Sequence, residues 1–393
     1  MARPPIRFSS RIPARLGPNP LTRARRRLGR VPFDLTVSNP TRCQLPYPED
    51  LLVALAAPHA LVYEPQPRGL QAARQAVAAT YHAWDLTVDP ERILLTASTS
   101  EAYGFLFRAL ADPGQVIMVP TPSYPLFEHL ARLEGVAAVP YRLDPDDGFR
   151  VDPASLAAAP PSTRAVVVVH PNNPTGSFVH PEDAARVVAL CAERGWALIA
   201  DEVFLPFPLA PAPGSDRSFA ACSDCLCVAL GGLSKSAGLP QLKLAWMVIN
   251  GPPAAVEAAL EALDYVADAY LSVSTPVAVA APELIARGAT VAAAIRERCR
   301  RNLETLHGLA ATVPAVSVLA PAGGWSVVLR VPTVSDEETL AVRLLERRGV
   351  GVFPGYFFDF AAEGHLVLSL LPPEATFTEG VRRLLEEVEE SLA

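Results

Sequence analysis

Lysine is almost missing from this chain. Of its 34 lysine and arginine side chains only two are lysine, Lys235 and Lys243, and both fall in "GGLSKSAGLPQLKLAWMV". Everywhere else the surface carries its positive charge on arginine. A guanidinium stays charged and is a poor nucleophile, whereas an ε-amine can lose its proton and attack a carbonyl. Both lysines are therefore candidates for chemistry, against the plainer reading that two residues fall together by chance.

Other shortages exclude whole classes. No run approaches eighteen uninterrupted apolar residues, so neither a membrane span nor a membrane partner is expected. The formal charge of −7 lacks the basic excess that general nucleic-acid binding needs. The six cysteines, at 43, 191, 222, 225, 227 and 299, lack the partners of a zinc set. "CSDCLC" holds one CxxC, but no second CxxC and no nearby His-x-x-His pair completes it. The segment runs into "LCVALGG", which reads as a buried strand, so reduced thiols, no metal and a cytoplasmic setting are expected.

Acidic residues are absent from the first thirty positions, which carry nine arginines. Such a start can be a mitochondrial transit peptide. Prolines at 4, 5, 13, 18 and 20 interrupt any amphipathic helix there, and an ordered arm packed on the body or on a partner subunit is expected instead. Neither an internal repeat nor a low-complexity linker is found, although "PLAPAPGSDRS" reads as an exposed loop.

What the chain does have is length and apolar content. At 393 residues, half of them apolar, it can bury a sizeable core and is long for one domain. Helical and strand patterns alternate from about residue 68 to 250: "GLQAARQAVAATYHAW", "RILLTAS", "EAYGFLFRALA", "QVIMVP", "SYPLFEHLARLEG", "AVVVVH", "PEDAARVVALCAERG", "WALIAD" and "CLCVALGG". Short, solidly apolar strands with intervening helices predict a mostly parallel sheet covered on both faces. Beyond about 252 the style becomes that of a smaller α+β domain. The expected division is an N-terminal arm over 1–45, a large domain over 46–265 and a small C-terminal domain over 266–393.

In such sheets ligands sit at the carboxyl ends of the strands. Strand exits in order carry Ser98, Thr99 and Ser100 at a helix start, Tyr124 in "TPSYP", Asn173 in "PNNPTG", Asp201 after "WALIA", and Ser234 and Lys235 after "CVALGG". A helix N-terminus with small hydroxyls is an anion site, or simply a capped helix. Taken singly each feature has a bland reading. Together they place an anion cradle, an aromatic ring, an amide, a carboxylate and an amine on one rim, a set that fits a phosphorylated aromatic aldehyde.

At these residues the chain resembles the aminotransferases of the fold-type-I, pyridoxal-phosphate-dependent class I/II superfamily over nearly its whole length. "HPNNPTG", "IADEVF" and "LSKSAGLPQLKLAW" carry the resemblance, with "YEPQPRGLQAARQAV" and "VFPGYFFDF" in support. It implies an α/β large domain with a smaller α+β domain, pyridoxal 5′-phosphate as cofactor, and amino-group transfer between an amino acid and a 2-oxo acid. It makes Lys235 the amine of the internal aldimine and the base at the substrate Cα. Asp201 would pair with the pyridine N–H, Asn173 with the ring oxygen, and Tyr124 would stack on the ring. Ser98, Thr99, Ser100 and Ser234 would form the phosphate cradle, and Tyr63 would reach it from the neighbouring subunit of a homodimer. A second outcome with the same cofactor, that of a lyase, cyclase or oxidase, stays open. A regulator of this superfamily would need a DNA-binding domain before the arm, and none is expected.

Three positions depart from the family pattern. Lys243 stands where an arginine usually grips the phosphate, and would serve as a point-charge donor. Phe204 replaces a tyrosine, removing one hydrogen bond to the ring oxygen. Val367 in "HLVLSLL" replaces the arginine that usually clamps the substrate carboxylate. Arg42, which follows the pocket-lining segment that includes Ser38, is the candidate substitute, with a solvated loop arginine as the alternative.

Overall fold

The computed structural model describes residues 6–13, 16–212, 214 and 217–392. Positions 1–5 of the expected arm, with two of its prolines, and part of the "PLAPAPGSDRS" loop lie outside the described residues.

The arm contributes helix α1 (Pro20–Leu28), capped by Asn19, and a two-residue strand β1 (Phe33–Asp34). Helix α2 (Gln71–Thr80) precedes β2 (Ile93–Thr96), which is buried along its whole length and leads into α3 (Thr99–Leu110). Then follow β3 (Val116–Thr121), α4 (Phe127–Glu134), β4 (Ala137–Asp144), β5 (Arg150–Val151), α5 (Pro153–Ala157) and β6 (Thr163–Val169). Helix α6 (Pro181–Arg194) separates β6 from β7 (Ala197–Asp201), and β8 (Cys227–Gly232) leads through the short helix α7 (Leu233–Ser236) into β9 (Ala245–Asn250).

These eight strands, β2 to β9, form one sheet in the order β2-β9-β8-β7-β6-β3-β4-β5. The run β8-β7-β6-β3-β4 is parallel throughout, while β9 runs against both of its neighbours. Strands β6 and β7 are buried at nearly every position because helices cover both faces, the burial expected of a parallel sheet. Alternate residues serve the two layers. Val167, Ile199 and Leu230 pack with α3 and α4, while Val168, Ala200 and Cys227 pack toward α6.

Two long helices, α8 (Pro253–Tyr270) and α9 (Thr275–Ala310), lead to the second body. Helix α9 is long and apolar enough to cross a membrane by length and composition, yet its first half packs in the large core and its second half in the small one. The expected boundary at residue 265 falls inside α8, and the chain passes between the bodies within α9.

The smaller body has strands β10 (Ser317–Leu319) and β11 (Ser326–Arg330), helix α10 (Glu337–Arg343), strands β12 (Val350–Gly351), β13 (Phe353–Pro354) and β14 (His365–Ser369), and helix α11 (Glu374–Leu392). Its antiparallel sheet has the order β10-β11-β14-β13. Strand β1 of the arm pairs in parallel with β12, and Leu21, Ala24 and Leu35 join the core of this body. The arm is therefore held by burial of its apolar side chains, and the ion pair of Arg25 with Asp34 lies within it.

Candidate active site

The carboxyl ends of β6, β7 and β8 share one rim because the strands are parallel and in register. Asp201 ends β7 opposite Val169 of β6 and beside Leu230 of β8. Beyond these ends lies a cavity of about 280 Å³ lined by Tyr124, Asn173, Asp201, Phe204, Ser234 and Lys235, with Ser98, Thr99, Ser100 and Lys243 also on its wall.

Lys235 reaches this cavity through a tight local fold. Strand β8 leaves through Gly231 and Gly232, and a Cβ on Gly231 would sit 2.4 Å from the indole nitrogen of Trp246, so only glycine can pass there. The short helix α7 then buries Leu233 in the core, which leaves Ser234 and Lys235 toward the cavity. The Lys235 ammonium lies 5.3 Å from the Phe204 ring centroid and 4.9 Å from that of Trp325. Trp325 belongs to the smaller body, so both bodies contribute to the surroundings of this amine. Desolvation lowers the Lys235 pKa below the ordinary lysine value, and the Asp201 carboxylate partly offsets that shift.

Asp201 is buried. Its Oδ1 accepts from the backbone N–H of Val203 at 3.2 Å, and its Oδ2 accepts from the Tyr103 hydroxyl at 2.9 Å. Burial raises its pKa above the ordinary aspartate value, against the two donors and Lys235, which lower it. Beside it, Glu202 is tied down by Ser218 and the N–H of Phe219, and desolvation pushes its carboxyl up to about 8.

At the start of α3 the roles divide. The Ser98 side chain accepts from the N–H of Glu101 and caps the helix, while Glu101 accepts from the N–H of Ala97. Thr99 and Ser100 line the cavity, and the first N–H groups of a helix have no intrahelical acceptor. Lys243 is exposed at the rim, with left-handed backbone at φ 54°. Tyr124 is half-buried and stands edge-on to Phe127 at 6.2 Å between centroids.

Three expected residues are not brought to this cavity within one chain. Ser38 and Arg42 are exposed, Arg42 at the end of a 3-10 turn over Pro40–Arg42. Tyr63 is 60 % exposed. Val367 is buried with Val328 and Phe358 in an apolar cluster. The four cysteines 191, 222, 225 and 227 gather around the start of β8, at the end of the strand opposite Lys235, with the sulfurs of Cys222 and Cys225 3.8 Å apart. Among the described residues no group of three or more histidine, cysteine, aspartate or glutamate side chains is arranged to hold a metal ion.

Tyr103 and Trp325 escape a reading by strand exits alone. Tyr103 follows Thr99 by four residues on α3, so helical periodicity puts both on one face, a signal the sequence does contain. Trp325 comes from the other body and has no such signal.

This rim defines an α/β enzyme whose amine, buried carboxylate and helix N-terminus converge beside a parallel sheet. The chain belongs to the aminotransferase class I and II family, whose model matches residues 48–384. Members of this family use pyridoxal 5′-phosphate, and this chain is a pyridoxal-phosphate-dependent transaminase. It is 27 % identical over 361 residues to an alanine aminotransferase of Mycobacterium tuberculosis, covering 89 % of this chain and 84 % of that one. It is 29 % identical over 329 residues to an arginine–pyruvate transaminase of Pseudomonas aeruginosa, covering 81 % and 80 %. Among solved structures, an alanine aminotransferase from Pyrococcus furiosus superposes with a TM-score of 0.85 at 23 % identity, over 94 % of this chain and 96 % of that one.

The residues present fit the cofactor. A desolvated amine, a buried carboxylate with spare lone pairs, hydroxyls at a helix N-terminus and a half-buried aromatic ring supply one partner for each polar or flat part of that molecule.

Proposed function

We propose that Lys235 and Asp201 are the catalytic pair of this transaminase. The observation that carries the assignment is their convergence in one cavity, close enough that each shifts the ionisation of the other. Pyridoxal phosphate, when bound, supplies an aldehyde carbon and a protonated ring that accepts electrons from the substrate Cα. Lys235 Nζ would be the amine that holds the aldehyde carbon, and as a free amine it would take the proton from the substrate Cα. Its lowered pKa keeps a larger neutral fraction available for both tasks. Asp201 would keep the ring nitrogen protonated. Asn173 would donate to the ring oxygen and Tyr124 would cover one ring face. Thr99, Ser100, Ser234 and the rim cation Lys243 hold the phosphate, while Ser98 shapes that cradle as the helix cap.

The donor is an amino acid and the acceptor a 2-oxo acid. Among the described lining residues the cations are Lys235 and Lys243, both assigned to the cofactor, while Val169, Val203, Phe204, Pro240 and Ala245 add apolar wall. This favours donors with one carboxylate and a small or apolar side chain, and some of the relatives are named alanine aminotransferases. Arg42, with Ser38 beside it, is our candidate for holding that carboxylate.

A homodimer with shared sites completes the reading. Leu61, Val62 and Tyr63 are exposed, as are Tyr265, Tyr270 and Leu271. Ser272 bonds to the backbone of Gln66, and Arg68 pairs with Asp264, so the two segments that carry these side chains are tied together. Exposed apolar side chains on such segments suit a subunit interface. The unpaired thiols suit a reducing, cytoplasmic setting.

Single-turnover mixing of the holoenzyme with a panel of amino acids tests the function. Bleaching of the cofactor absorbance with one equivalent of 2-oxo acid formed is expected. Release of ammonia, carbon dioxide or hydrogen peroxide instead would overturn transamination as the outcome.

A further inference from the structure

We infer that Tyr103 is the positioning residue that holds Asp201 as an oriented carboxylate toward the ring nitrogen, an inference that rests on the role proposed above for Asp201. Tyr103 is buried to 1 % exposure, and its hydroxyl donates to Oδ2 of Asp201 at 2.9 Å. The Val203 N–H donates to Oδ1 at 3.2 Å. Two donors, one on each oxygen, fix rotation of the carboxyl group. A carboxylate oxygen has two lone pairs, so each oxygen can still accept from a donor in the cavity.

The tyrosine itself has little freedom. Its ring stands edge-on to Phe127 at 5.4 Å and tilted against Phe107 at 5.8 Å. Phe127 in turn meets Tyr124, which lines the cavity. The run Tyr124, Phe127, Tyr103, Asp201 thus links the wall of the cavity to its carboxylate through packed rings and one hydrogen bond.

The electrostatic need is specific. Burial favours the neutral acid at Asp201, and a neutral acid cannot keep a pyridine nitrogen protonated. A hydrogen bond donated to the charged form opposes that drift. Burial, with Asp201 alongside, raises the Tyr103 hydroxyl pKa well above the ordinary tyrosine value, so it stays a donor.

The test uses apo-protein and two ligands, pyridoxal phosphate and its carbocyclic analogue with C–H in place of the ring nitrogen. Binding is read by quenching of protein fluorescence across pH. A wild-type preference for the nitrogen-bearing ligand is the test of the Asp201 reading. Tyr103→Phe keeps the ring and is expected to cut that preference by about tenfold or more, the worth of a hydrogen bond to a charged group. Affinity for the analogue should stay unchanged, and the acid-side loss of pyridoxal phosphate affinity should begin at higher pH. In an Asp201→Asn background the same substitution should leave the preference unmoved. Equal weakening of both ligands would reduce Tyr103 to a packing role, and an unchanged preference would show the hydroxyl to be inert. No preference in the wild type would instead sink the Asp201 reading, and this inference with it.

Discussion

Val367 of β14 stands directly opposite Val328 of β11, and the two pack with Phe358 in one apolar cluster. Neither valine can hold a carboxylate. If Arg42 takes that task, Arg42→Ala should raise the KM of every reactive amino acid and its oxo acid. Truncating one partner of a desolvated charge pair costs roughly 2–5 kcal/mol, and the low end is expected because Arg42 is exposed in a single chain. That is about thirtyfold in KM with cofactor affinity unchanged. Silence of this variant, with equal turnover of an amine lacking the α-carboxylate, would mark Val367 as a change of substrate class.

Lys235 should be the residue fixed by borohydride reduction of the yellow holoenzyme, as read by peptide mapping. Lys235→Arg should be inactive, since arginine cannot form the same bond. Adduct found on Lys243 would reverse the assignments of the two lysines.

The pH dependence of aldehyde capture by apo-protein follows from the neighbours of Lys235. Burial lowers its pKa and the Asp201 carboxylate raises it, and only the neutral amine is nucleophilic. Removing the carboxylate in Asp201→Ala lowers the pKa further, so capture should persist to lower pH than in the wild type. The same variant should lose several orders of magnitude in half-reaction rate, because the ring is no longer held protonated. Stopped-flow absorbance measures both, and an unshifted capture profile would show the two groups to be uncoupled.

Hybrid dimers test the shared site. Tyr63→Ala and Lys235→Ala proteins should each be inactive, and mixing them after mild dissociation should restore part of the activity. An active monomer at high dilution would rule the shared site out.

Stability of the smaller body should depend on Glu387, a buried carboxylate on α11. Arg343, Arg347 and Arg348 approach it at 2.9, 3.0 and 2.7 Å. Glu387→Ala would leave three crowded guanidiniums without their shared anion. The arginines are partly solvated, so a loss of roughly 2–3 kcal/mol is expected, below the range for a fully buried pair. Thermal melting of the apo-protein checks this, and a melting temperature within error of wild type would show that water replaces the pairing.

Much of this site was legible from local pattern. Apolar strands alternating with helices specify a parallel sheet, and a parallel sheet aligns its strand exits on one rim. Asp201 could therefore be named from its place at the end of β7, and Asn173, Tyr124 and Lys235 from theirs just after β6, β3 and β8, and their convergence on one cavity needs no long-range information beyond strand order. The Ser98-to-Glu101 spacing likewise contains the helix cap, since a side chain and an N–H three residues apart meet by helix geometry alone.

What only the tertiary structure decided is how those groups are held and where the bodies meet. The continuity of α9 through both cores places the crossing between the bodies, because a 36-residue helix buries its two halves against different partners. The Tyr103 hydrogen bond spans 98 positions of chain and the approach of Trp325 to Lys235 spans ninety. Helical periodicity gives the face on which Tyr103 lies, but the partner it meets across such a separation leaves no trace in sequence. Such contacts are set by side-chain packing across elements, and by excluding water that packing also raises the pKa of Asp201 and lowers that of Lys235.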